Sequence, residues 1–123
     1  MKKLSTLVLL AASLQLGVAF AHGDEKPRHG GIVQMAGELK LELVATPDAA
    51  ELYLDDHGQA VPTAKVSGKL TVLSGGAKSE FKLEPAAGDK LVAKGAKLVK
   101  GDKVIAVVIT EDKQNSSARF VIK

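Results

Sequence analysis

Apolar and polar residues alternate with a period of two along much of the chain, as in strands that bury one face. The run Glu38-Leu39-Lys40-Leu41-Glu42-Leu43 alternates strictly and sends Leu39, Leu41 and Leu43 inward. A short apolar run, residues 31–35, precedes it. Thr46-Pro47-Asp48 is a turn signal; Glu51-Leu52-Tyr53-Leu54-Asp55 then alternates again and stops at Asp56-His57-Gly58. Pro62 predicts that the next segment lies on a sheet edge, because proline has no N–H for the ladder. Residues 69–73 and 80–83 flank Ser74-Gly75-Gly76, a hairpin pattern with a loop of several residues. A weaker strand spans 89–93, and Gly101-Asp102 marks a turn. Residues 104–109, Val-Ile-Ala-Val-Val-Ile, form an unbroken apolar run that predicts a central strand covered on both faces. Residues 118–122 close the chain.

This pattern gives seven to nine short strands about ten residues apart, and no convincing helix. The predicted fold is all-β: an antiparallel β-sandwich of immunoglobulin-like architecture, with a small barrel as the alternative. The chain has no cysteine and no tryptophan, so the Cys…Trp…Cys hallmark of true immunoglobulin domains is missing and only the architecture is expected.

The first 31 residues do not follow the strand pattern. Lys2 and Lys3 precede a mainly apolar stretch, residues 4–18, and Ala19-Phe20-Ala21 fits the small-residue rule for signal peptidase. Residues 1–21 therefore read as a cleaved signal peptide. The apolar run is short for a membrane anchor, and a lipoprotein would need a cysteine. Residues 22–31 are polar, with Pro27, Gly30 and Gly31, and read as an extended N-terminal arm. Residues 32–123 are a single domain. The expected product is exported, periplasmic and free of a membrane anchor.

Composition narrows the function. Of 17 basic residues the leader holds two, which leaves 15 against 14 acidic ones after cleavage. With charges interspersed and aromatic residues at 3%, nucleic-acid binding is not expected. No Walker-type loop, H-E-x-x-H, C-x-x-C or cysteine nucleophile is present. The acidic residues mostly sit on solvated strand faces, so no enzyme active site is expected. With no disulfide possible, the core must hold by apolar packing alone.

The candidate chemistry rests on the three histidines. Cleavage after Ala21 makes His22 the first residue, and an N-terminal histidine offers its α-amine and ring Nδ1 to one metal ion. The α-amine sheds its proton near pH 8, far more readily than a lysine. A second imidazole would complete a planar set of three nitrogens, which suits Cu(II); other divalent transition metals are possible. His29 lies seven residues on, a span of at most about 25 Å. His57, at the end of a predicted strand, is the third imidazole. Asp24 and Asp56 are the nearby oxygen candidates, with Glu25 and Asp55 as further ones. Met35 is the only methionine beyond the leader, which rules out a multi-thioether Cu(I) site within one chain. Each histidine also has a structural reading, above all Asp56-His57-Gly58 as plain turn chemistry.

The stretch RHGGIVQMAGELKLELVATPDAAELYLDDHGQAVPTAKVSGKLTVLSGG resembles a family of small bacterial periplasmic proteins. The likeness lies in His29-Gly30-Gly31, in the segment from Leu52 to Pro62, and in the segment from Val66 to Gly76. It implies an all-β fold and an association with copper or silver resistance. Similar domains occur beside or within membrane-fusion subunits of heavy-metal efflux systems, which makes such a subunit an expected partner. The expected function is a periplasmic metal-binding protein, most simply for Cu(II), that buffers the ion or delivers it to an efflux system. The alternative is a non-metal envelope module that docks on a protein partner.

Overall fold

The computed structural model describes residues 26–123. The expected signal peptide, His22, Asp24 and Glu25 lie outside the described residues. Nine strands follow one another: β1 (Ile32–Ala36), β2 (Leu39–Ala45), β3 (Ala49–Asp56), β4 (Gln59–Ala60), β5 (Ser67–Ser74), β6 (Ala77–Ala86), β7 (Lys90–Lys94), β8 (Lys103–Ile109) and β9 (Asn115–Val121). There is no helix among the described residues.

All strand pairs are antiparallel, in the order β1-β2-β3-β7-β6-β5-β8-β9, with the two-residue β4 attached to β3. β1 packs beside β9, so the sheet curls into a nearly closed, barrel-like form. The ten-residue β6 joins the two halves. Its residues 77–83 pair with β5 and its residues 84–86 pair with β7. The all-β, antiparallel expectation holds. An immunoglobulin-like division into two packed sheets is not specifically seen, because β6 makes the hydrogen-bonded path continuous.

The inner face is aliphatic. Leu43 lies opposite Leu52, and Leu52 opposite Leu91, giving one leucine row across β2, β3 and β7. Leu41, Leu54, Leu70, Leu83, Val104, Val108 and Phe120 complete a core with almost no exposed surface. Burying each such side chain contributes about 1.5–3 kcal/mol. This burial must offset chain entropy without covalent help.

Two local expectations change. Pro62 precedes β5 in a loop, and β5 is hydrogen-bonded on both sides, by β6 and β8, so it is not an edge strand. The apolar run of β8 is central, but only Val104, Ala106 and Val108 are buried. Ile105, Val107 and Ile109 point outward and are half-buried. Among the described residues no element packs over them.

Candidate functional site

β2 carries Lys40, Glu42 and Val44 on its outer face, by the alternation that buries Leu41 and Leu43. Glu42 should therefore be solvated. It is 3% exposed instead, because residues 28–31 fold over it.

The carboxylate accepts three backbone N–H bonds from this segment. Arg28 N–H donates to Oε1 at 3.0 Å, and His29 and Gly31 N–H donate to Oε2, each at 2.8 Å. His29 Nδ1 lies 2.9 Å from Oε1. An ionised carboxylate only accepts, so Nδ1 carries the proton and, in the neutral ring, Nε2 keeps the lone pair. The ring stacks on Tyr53, with centroids 3.5 Å apart and planes 7° from parallel. Tyr53 is the residue opposite Glu42 on β3, so the ladder places it directly under the imidazole.

The two glycines make this packing possible. Gly30 takes φ +77°, which turns the chain back towards the barrel. Gly31 lies so close to β2 that a Cβ there would fall 2.3 Å from the Leu43 carbonyl oxygen. His-Gly-Gly is thus a docking sequence: a ring to stack, a left-handed turn, and a residue without a side chain against the strand.

A network extends from this point. Tyr53 O–H donates to Glu51 Oε1 at 3.2 Å, and Lys90 Nζ donates to Glu51 Oε2 at 3.0 Å. Lys90 also stands 5.6 Å from the Tyr53 ring centroid, within cation–π range. Arg28 reaches Asp55 at 3.7 Å. A cleft of about 140 Å³ beside the imidazole is lined by Arg28, Lys40, Tyr53, Asp55 and Asp89 among others.

These contacts shift protonation. Burial alone would push the Glu42 carboxyl up. The bonds from the His29 ring and from the backbone of Gly31, His29 and Arg28 outweigh it and hold the carboxyl below its ordinary value. Burial raises the Tyr53 phenol, and the neighbouring Glu51 carboxylate adds to the effect. The bond to Glu51 raises the Lys90 ammonium.

His57 has different surroundings. It occupies the β3–β4 turn with φ +54°, followed by Gly58 at φ +90°. Positive φ at both central residues is what a type I′ hairpin requires. Its Nδ1 lies 2.6 Å from Asp56 Oδ1, and the side chain is 73% exposed. Asp55 Oδ1 accepts from Gly58 N–H at 2.7 Å.

Of the ligands expected from the sequence, His57 and Asp56 pair with each other, while His29 pairs with Glu42, which was not among them. Among the described residues no three His, Asp or Glu side chains are grouped to hold a metal ion. His22 and Asp24 lie outside the described residues. Sequence reading missed Glu42, since its alternation marks it as an ordinary solvated position. The available signal was the preceding His-Gly-Gly, whose N–H groups need an acceptor once the arm lies on the barrel. Compared with protein-family models, curated proteins and solved structures, the chain matches none of them.

Proposed function

We propose that this chain is an exported metal-binding protein for Cu(II), whose site is completed by the residues preceding Lys26. His29 supplies Nε2, and His22 supplies its α-amine and ring nitrogen once residues 1–21 are removed. Asp24 is the nearby oxygen donor. The supporting observation is the contact between His29 Nδ1 and the buried Glu42 carboxylate. A carboxylate behind a ligating imidazole fixes its tautomer and orientation and makes the other nitrogen a better donor. The His-Gly-Gly resemblance supports buffering, or delivery of the ion to a heavy-metal efflux subunit, in the periplasm. His57 and Asp56 sit on an exposed turn and serve the hairpin.

The test is a Cu(II) titration of the chain beginning at His22, followed by d–d absorption and electron paramagnetic resonance. His22→Ala and His29→Ala should each weaken binding at least tenfold. Glu42→Gln should weaken it about tenfold through ring orientation, while His57→Asn should change it less than twofold. Wild-type affinity no higher than that of His22→Ala would overturn the chelate.

A second reading, an envelope docking module without a metal, is favoured by the uncovered outer residues of β8.

A further inference from the structure

The outer face of β5, β6, β8 and β9 combines two properties. The first is aliphatic surface. Ile105, Val107 and Ile109 line the outside of β8, and Leu73 on β5 and Val121 on β9 are 37% and 52% exposed. The second is cationic excess. Lys69, Lys78, Lys82, Lys103 and Arg119 are exposed on the same four strands, and the carboxylates there are Glu80 and Glu84 on β6. Glu80 is shared by Lys69 at 3.6 Å and Lys78 at 3.9 Å. Lys82, Lys103 and Arg119 have no ion pair among the described residues.

The register mixes the two kinds of side chain. Lys103 lies opposite Leu73 on one side and Val121 on the other, and Arg119 lies opposite Ile105. Cations therefore flank the aliphatic positions instead of forming a separate patch. Long lysine stems can lie along the apolar surface while their ammonium groups reach outward.

We propose that this face docks on an anionic phospholipid surface. A second copy of the same face would be repelled by like charge. Four of the five cations are lysine, which is depleted at protein–protein interfaces, and the aromatic anchors enriched there are missing from this face. A lipid surface requires no fixed partner geometry. It needs charges spread over the contact and a few aliphatic groups to reach the headgroup boundary. Each lysine or arginine near such a surface is worth about 1 kcal/mol, or about fivefold in partitioning.

The test is co-sedimentation with sucrose-loaded vesicles of phosphatidylcholine, with or without 40% phosphatidylglycerol, at low and at physiological salt. The protein is the chain beginning at His22. This removes the apolar leader and keeps all nine strands, residues 32–121. Binding should require phosphatidylglycerol and fall with salt. Lys82→Gln/Lys103→Gln/Arg119→Gln should lower partitioning about 100-fold. The same charge change elsewhere, Lys65→Gln/Lys94→Gln/Lys113→Gln, should lower it by less than fivefold. Circular dichroism melting should be alike for both variants, since all six side chains are exposed. Equal loss in the two variants would reduce the effect to net charge and overturn the proposal. Wild-type binding no greater with phosphatidylglycerol than without it would also overturn it, and would leave an acidic protein as the occupant.

Discussion

The barrel has two outer walls built by the same strand alternation, yet their charged residues end up in opposite states. On β2 and β3, Glu42, Glu51 and Asp55 all have partners, and Glu42 is sealed from water. On β5, β6, β8 and β9, three cations lack an ion pair among the described residues, and half-buried aliphatic groups lie between them. The difference is what crosses each wall. Residues 28–31 lie over the first wall and turn an ordinary surface glutamate into a buried anchor. Nothing described lies over the second. Whether an outward-facing charge is structural or available for binding therefore depends on a neighbouring segment, and not on its place in the strand.

The largest expected contrast between the walls is in stability. Glu42→Ala leaves three backbone N–H groups and an imidazole without their acceptor, and should cost about 2–3 kcal/mol. Lys103→Ala on the open wall should stay within about 0.5 kcal/mol of wild type. Urea unfolding of both variants measures this. Equal effects would mean that the arm does not anchor the barrel.

The next contrast is in pH. The folded Glu42 carboxyl titrates below its unfolded value. Its contribution is therefore complete above the ordinary carboxylate range, about pH 4.5, and is lost as pH falls through the folded value. The stability gap between wild type and Glu42→Gln should narrow as pH falls below about 4.5. Denaturant midpoints as a function of pH measure it.

The smallest effect sharpens the reading of His57. His57→Asn keeps a residue that tolerates positive φ and restores the favoured Asn-Gly turn pair. It should be neutral or stabilise by a few tenths of a kcal/mol. Thermal melting is the measurement. A loss above about 1 kcal/mol would mean that the imidazole has a structural role beyond the turn.

Much of the fold is legible in the chain. The leucine alternation of 39–43 and 51–55 fixes β2 and β3, and the Gly75-Gly76 pair fixes the β5–β6 hairpin. The β-branched run fixes β8. The sheet's continuity was less legible, because whether strands divide into two sheets or curl into one depends on how β6 bends to serve both neighbours. The site was half legible. His29 was visible as a candidate, but its partner Glu42 is 13 residues away and obeys the same alternation as the half-buried Lys40 and Glu51.

By itself the sequence determined most of the strands, the inward-facing leucines of β2 and β3 and the glycines that allow close turns, because these follow from local sterics and a two-residue period. Only the tertiary structure decided that the arm closes over β2 while β8 stays uncovered. That choice depends on which distant backbone N–H groups find a carboxylate, and the period of a strand carries no information about it.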